Sequence, residues 1–425
     1  MHIQMAILHA QNTYNNGSFM LLINFIWYYV RHTPASARVT FWIELDGTDN
    51  HERIMQALPG VLLSDKRVAI RRLPFAITSA DHASPLKKAF KLYDKYYRHP
   101  RLFRALGIDA VIILGGDDIS EYYKKWLIVS DLYRIRRYAG SFRTILAGQT
   151  IGPFQGFREK MAAKCLARTI IFSRDELTAS YLTERLHLPE ERVLRSADLS
   201  FPEIPLPEKR TDIMADLGLV PDGYIILVPG GHYTLYTQNK EFYIASWVRL
   251  VQDLLRHGGH LSRQIVFLPH VTRPEDDREI IHLILDSLGD AEGIPDRIRV
   301  VDEELLPHQL REILGNGYLT VSSRLHAALS ALQRNKPAIA LGYSVKYDGV
   351  IGSSLQCAEL LVHCTGDLIT APERFSKAVL RKINHVDQHY RQITAHLAVR
   401  IPELQVMAED QIRNIARMSR DTLNK

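Results

Sequence analysis

The feature that most constrains this chain is how its short apolar runs end. Ala110–Leu114 (AVIIL) stops at Gly115-Gly116-Asp117-Asp118, Tyr224–Val228 (YIILV) at Pro229-Gly230-Gly231-His232, and Gln264–Leu268 at Pro269-His270. Tyr318–Val321 runs into Ser322-Ser323-Arg324-Leu325-His326. Thr144–Ala147 meets Gly148-Gln149, Thr169–Phe172 meets Ser173-Arg174-Asp175-Glu176, and Ala338–Leu341 meets Gly342-Tyr343-Ser344-Val345-Lys346. Runs this short and continuously apolar read as strands buried on both faces. Helical patterns separate them, and strand, loop, helix, strand in that order gives βαβ units and parallel sheets. His2–Leu8, Arg38–Leu45 and Arg297–Val301 are further expected strands. Phe19–Val30, Phe242–His257, a segment from Pro307 and a last stretch from Pro372 to Met418 are expected helices.

A chain of 425 residues is too long for one ordinary core, so two domains are expected. Pro202, Pro205 and Pro207 crowd the segment Phe201–Arg210, which suits neither helix nor central strand and reads as the linker. We therefore expect an α/β lobe over 1–203, a second over 211–371, and C-terminal helices over 372–425. Two doubly wound parallel-sheet lobes so joined make a GT-B-like architecture. In such sheets ligands bind beyond the carboxyl ends of the strands, where the glycines and polar residues gather here.

The net charge of +6 is spread along the chain with no basic stripe. It suits an anionic small molecule or membrane surface and gives no reason to expect nucleic acid as a partner. The three cysteines, Cys165, Cys357 and Cys364, are too few for a disulfide scaffold and lack zinc-site spacing, so free thiols and no metal are expected. No signal peptide is read at the start, and a cytoplasmic location is expected. Phe19–Val30 (FMLLINFIWYYV) falls short of the roughly 20 apolar residues of a spanning helix. It reads as a buried helix; the alternative is an interfacial helix dipping Trp27, Tyr28 and Tyr29 into the inner membrane face.

The strand ends supply the candidate chemistry. Gly115-Gly116 and Gly230-Gly231 let backbone N–H groups approach an anion closely, although plain turns use the same pairs. Neither a GxGxxG nor a GxxxxGK[ST] motif occurs at these positions, which argues against a dinucleotide fold or a P-loop. Ser322 and Ser323 at a helix start can hold phosphate, Arg324 can grip a carboxylate or phosphate with two N–H groups, and histidines such as His326 exchange protons near neutral pH. The plain alternative is Arg324 paired with a carboxylate and His326 capping a turn. Arg174 is a second anion candidate, unless it pairs with Asp175 or Glu176 or is a plain surface charge. His270 and His232 are cleft candidates or ordinary loop histidines. Asp117 and Asp118 orient a sugar hydroxyl, serve as a base, or are solvated loop acids.

In this order, Ile112-Ile113-Leu114-Gly115-Gly116-Asp117, Gly148-Gln149-Thr150-Ile151-Gly152-Pro153-Phe154, Ser173-Arg174-Asp175, Ala197-Asp198-Leu199-Ser200-Phe201 and Ser322-Ser323-Arg324-Leu325-His326-Ala327-Ala328, followed by Pro337 and Tyr343-Ser344-Val345-Lys346, resemble the polysaccharide pyruvyl transferases. The resemblance implies transfer of a pyruvyl group from phosphoenolpyruvate to sugar hydroxyls, giving a ketal on a surface polysaccharide or on its lipid-linked or nucleotide-linked precursor. It implies no cofactor beyond the donor substrate. It casts Arg174 and Arg324 as donor clamps and His326 as general acid. Ser322, Ser323, Leu325, Gly230, Gly231, His270, Lys346, Gly116, Asp117 and Gln149 are the further substrate-binding residues expected. The first lobe is expected to serve the acceptor and the second the donor. The family often carries Asn-x-Gly-Asp in its first loop; here Asn15-Asn16-Gly17-Ser18 lacks the acid, and Asp117 stands where a third glycine is common. These departures leave the acceptor open. Two other readings stay in play. One is a nucleotide-sugar glycosyltransferase, for which Glu303 and Glu304 are poorly placed to hold a ribose. The other is a non-catalytic sugar-binding protein of the same fold.

Overall fold

The computed structural model describes residues 1–74, 98–122, 127–256, 263–289, 297–364 and 368–421. They form two compact units, each built on one parallel sheet. The first comprises Met1–Thr13, Ser18–Glu208 and Val406–Lys425; the second comprises Tyr14–Gly17 and Lys209–Gln405.

The first sheet holds β1 (His2–Leu8), β2 (Arg38–Ile43), β3 (Val68–Arg72), β4 (Ala110–Leu114), β5 (Arg143–Gln149), β6 (Ile170–Ser173) and β7 (Val193–Arg195). Its order is β3-β2-β1-β4-β5-β6-β7, all pairs parallel. The second holds β8 (Tyr224–Val228), β9 (Gln264–Phe267), β10 (Ile298–Val300), β11 (Leu319–Ser322), β12 (Ala338–Gly342) and β13 (Leu361–His363), in the order β10-β9-β8-β11-β12-β13, again all parallel. Strand order reverses between β1 and β4 and between β8 and β11. Doubly wound sheets bind ligands beyond the carboxyl ends of such pairs.

Central strands β4, β8 and β12 are buried at every residue, as their unbroken apolar runs require. Edge strands β3, β7 and β13 were not expected from the sequence. β3 (VAIRR) is only half-buried or exposed, and β7 and β13 span three residues each. A strand with one neighbour needs no continuous apolar run, so its pattern is weak.

The helix Asn16–Arg31 contains the apolar stretch Phe19–Val30. Phe25, Ile26 and Tyr29 are fully buried, and Tyr28 nearly so. Asn24, the polar residue inside this run, is buried too. Its Nδ2 donates to Leu199 O at 2.9 Å and Pro202 O at 3.2 Å, while Tyr28 Oη donates to Glu203 O. The helix is thus a core element pinned to the 199–203 segment; of the residues of the interfacial reading, Tyr28 and Tyr29 are buried and Trp27 is half-buried. No described helix is long and apolar enough to cross a membrane.

The helix beginning at Lys240 runs to Arg256, and His257 lies outside the described residues. The last helix, Pro372–Asp421, departs from helical geometry at His389 and contains Pro402. Its residues to Gln405 belong to the second unit and those from Val406 to the first. The stretch expected to stand as separate C-terminal helices over 372–425 is divided between the two units.

Candidate active site

The turn after β11 is made by its own hydroxyls. Ser322 Oγ donates to Arg324 O at 2.8 Å and accepts from Arg324 N at 3.0 Å. Ser323 donates to Val228 O through both N and Oγ, tying β11 to β8. Arg324, with extended backbone, is the N-cap of the helix Leu325–Gln333. The first N–H groups of an α-helix have no acceptor inside it, so the start of this helix, at the end of β11, favours an anion. The Leu325 side chain is buried, so the backbone N–H is what it offers.

Arg324 meets a carboxylate, but not one near it in sequence. Its Nη2 lies 2.5 Å and its Nε 3.3 Å from Asp277 Oδ1, and Nε lies 3.3 Å from Oδ2. Asp277 is fully buried and also accepts from Gly231 N at 2.7 Å, His270 N at 3.1 Å and Val271 N at 2.9 Å. Burial alone would favour a neutral guanidinium. The Asp277 carboxylate outweighs it and holds the Arg324 pKa above the ordinary arginine value. Asp277 was not among the expected residues. Its only mark in the sequence is an acid at the start of a helix, beside Asp276, which accepts from Arg278 N as N-cap.

On the β8 side, a Cβ on Gly230 would lie 2.8 Å from both His232 Nδ1 and Ser323 Oγ, so only glycine lets this loop pass between them. Gly230 N donates to Tyr243 Oη at 3.2 Å. Tyr236 and Tyr347 both donate to Ser323 O, at 2.9 and 2.7 Å, buttressing the turn from behind. Lys346, nearly buried, donates to Tyr343 Oη at 2.6 Å and lies 4.6 Å from the centre of that ring. The His232 and Tyr343 rings stand edge to face at 5.6 Å.

The departure segment Tyr14–Gly17 packs within the second unit against the β9 loop. Asn16 donates to His270 O from both N and Nδ2, Thr272 N donates to Tyr14 O, and Asn15 forms an antiparallel bridge with Val271. Gly17 lies against the His326 imidazole so closely that a Cβ there would overlap Nδ1 and Cγ. Gly17→Ala should therefore displace His326 and lower turnover by roughly 10²-fold, the scale of an ångström-sized misplacement. Steady-state kinetics and a thermal melt check it: activity falls while the melting temperature stays near wild type.

His232 and His270 are buried, and His232 Nδ1 and His270 Nε2 find no hydrogen-bond partner among the described residues. Burial first, then Arg324 and Lys346, holds the His232 pKa well below 6.5. Burial, then His326 and Arg324, does the same for His270. Burial and Arg210 lower His308 to about 4. All three stay neutral in the folded chain while the unfolded chain takes up protons below about pH 6.5. The unfolded state then binds more protons, so stability is lost as pH falls below about 6.5, by up to about 1.4 kcal/mol per pH unit per histidine. For His308 the loss continues to about pH 4. Denaturant melts at pH 7 and pH 5 should show the drop, and His308→Gln should make it smaller.

The remaining candidates lie at the carboxyl edge of the first sheet. Arg174 is 1% exposed; Nη1 donates to Asp198 Oδ2 at 2.7 Å and Nε to Thr150 Oγ1 at 2.8 Å. Burial opposes its charge, but Asp198, Asp117 and Asp175 more than compensate, and its pKa is raised. It ion-pairs with Asp198, from another of the motifs. Gln149 is buried and donates Nε2 to Ile113 O and Leu114 O at the end of β4. Gly116 O accepts from Thr150 N, Asp117 is nearly buried, and exposed Asp118 lies 3.5 Å from His9 Nδ1. The structure thus gathers Gly230, Gly231, His270, Ser322, Ser323, Arg324, Leu325, His326 and Lys346 on one sheet edge of the second unit, and Gly116, Asp117, Gln149 and Arg174 in the first. Among the described residues no group of His, Cys, Asp or Glu is arranged to hold a metal ion.

The two sheets and their switch points define the class. The chain shares its fold with MnaA of S. aureus, solved with UDP, at a TM-score of 0.63 and 11% identity, covering 100% of this chain and 98% of that one. It matches UDP-GlcNAc 2-epimerase of Neisseria meningitidis at a TM-score of 0.60 and 9% identity, covering 100% and 99%. The fold is that of the GT-B glycosyltransferases and epimerases. By sequence the chain is 23% identical over 337 residues to the amylovoran biosynthesis protein AmsJ of Erwinia amylovora, covering 70% of each. Residues 66–345 match the polysaccharide pyruvyl transferases, and the chain belongs to that family.

Proposed function

We propose that the chain transfers a pyruvyl group from phosphoenolpyruvate to two hydroxyls of a sugar in a polysaccharide or its precursor, forming a cyclic ketal. The observation that carries this is the grouping, at the β8/β11 switch point, of a carboxylate-oriented arginine, a helix N-terminus and a histidine. Family membership supports it. The donor is a small polyanion, matched by Arg324 and by the N-terminus of the helix Leu325–Gln333.

His326 protonates the donor methylene carbon, which becomes a methyl group and leaves an oxocarbenium-like centre at the adjacent carbon. One sugar hydroxyl attacks that carbon and loses its proton. The carbon–oxygen bond to phosphate then breaks, phosphate departs with a proton, and the second hydroxyl closes the ring and loses its own proton. Arg324 stabilises the charge on the departing phosphate.

The test is phosphate release from phosphoenolpyruvate in the presence and absence of candidate glycans. The proposal expects release that depends on the acceptor. No release with any acceptor, and no donor binding by calorimetry, would sink it.

A further inference from the structure

Asp277 has no part in the proposed chemistry, yet one buried carboxylate joins the loops after β8, β9 and β11. It takes Gly231 N from the first, His270 N and Val271 N from the second, and the Arg324 guanidinium from the third. A negative charge beside an anion site repels the anion through the same medium in which Arg324 attracts it. Charge alone therefore argues against a carboxylate here, and its value must lie in geometry.

The geometry is specific. Asp277 engages Nε and Nη2 of Arg324, and the bonds that fix the guanidinium use only those two nitrogens. A planar guanidinium held along one edge presents Nη1 outward in a fixed direction. The same carboxylate accepts from the backbone of Gly231 and His270 and so also fixes the loops after β8 and β9.

We propose that Asp277 is the positioning residue of this anion site, holding Arg324 so that Nη1 meets the donor's phosphate or carboxylate group. The identity of that donor rests on the pyruvyl transfer reading; the anion site itself does not.

Charge and positioning predict opposite signs, which makes the proposal testable. Asp277→Asn makes the site more positive, and electrostatics alone predicts tighter anion binding. Positioning predicts weaker binding. Calorimetry with inorganic phosphate and with phosphoenolpyruvate should show Asp277→Asn weakening both by at least about tenfold. Asp277→Glu keeps the charge and the acidic helix start but moves the carboxylate, and should weaken both as well; it decides the matter if Asp277→Asn does not fold. In arginine-labelled protein, the Arg324 Nε–H resonance, identified by its loss in Arg324→Lys, should stand apart in wild type and move among the solvated arginines in both variants. Folded variants that bind either anion as tightly as wild type or tighter, or an unmoved Nε–H resonance, overturn the proposal. If wild type binds phosphate but not phosphoenolpyruvate, the pyruvyl reading fails while the positioning role stands on the phosphate result. If wild type binds neither, both fall.

Discussion

His326→Ala should lower turnover by about 10²–10⁴-fold, the usual contribution of a positioned proton donor, while phosphoenolpyruvate binding stays within a few-fold of wild type. The split between rate and binding is the point. In the proposed chemistry the donor's charge is met by Arg324 and the helix N-terminus, neither of which depends on the imidazole. Its methylene carbon needs a proton, and in this account only His326 supplies it. His326→Gln, which keeps a polar group of similar reach but cannot act as the acid, should behave like His326→Ala. Single-turnover rates with saturating donor, set beside calorimetric affinities, separate the two effects. A wild-type rate in either variant removes His326 from the chemistry.

Arg324→Ala should fail differently, in binding and in stability together. The variant leaves the Asp277 carboxylate, fully buried, without its cation. Breaking a buried pair by removing one partner costs about 3–5 kcal/mol, so the melting temperature should fall clearly as donor binding is lost. Arg324→Lys should keep much of the charge but not the two-nitrogen contact, and should restore only part of either property. Thermal melts and calorimetry on the same preparations check this. A variant as stable as wild type contradicts the reading of Asp277–Arg324 as a buried, mutually dependent pair.

Much of the fold was legible because central parallel strands are buried on both faces and announce themselves as apolar runs. Ala110–Leu114, Tyr224–Val228 and Ala338–Leu341 became β4, β8 and most of β12 for that reason. The edge strands Val68–Arg72 and Leu361–His363 were illegible because one neighbour and partial exposure leave no such run. The candidate site was chosen by the rule that doubly wound sheets work at the carboxyl ends of their strands, and β11 does end at Ser322. The partners were not legible. Asp277 lies 47 residues from Arg324 in sequence and Asp198 lies 24 from Arg174, separations at which nothing in a single sequence marks a contact. Gly17 read only as part of a loop that departs from a motif; its lack of a side chain matters because the His326 ring occupies the space, which is a tertiary fact.

Pyruvyl transfer from phosphoenolpyruvate onto sugar hydroxyls is tested most directly by its product. Mass spectrometry of candidate lipid-linked or nucleotide-linked glycans, incubated with the protein and phosphoenolpyruvate, should show a gain corresponding to one pyruvyl ketal, absent with His326→Ala. Phosphate release with every glycan left at its original mass would contradict the account.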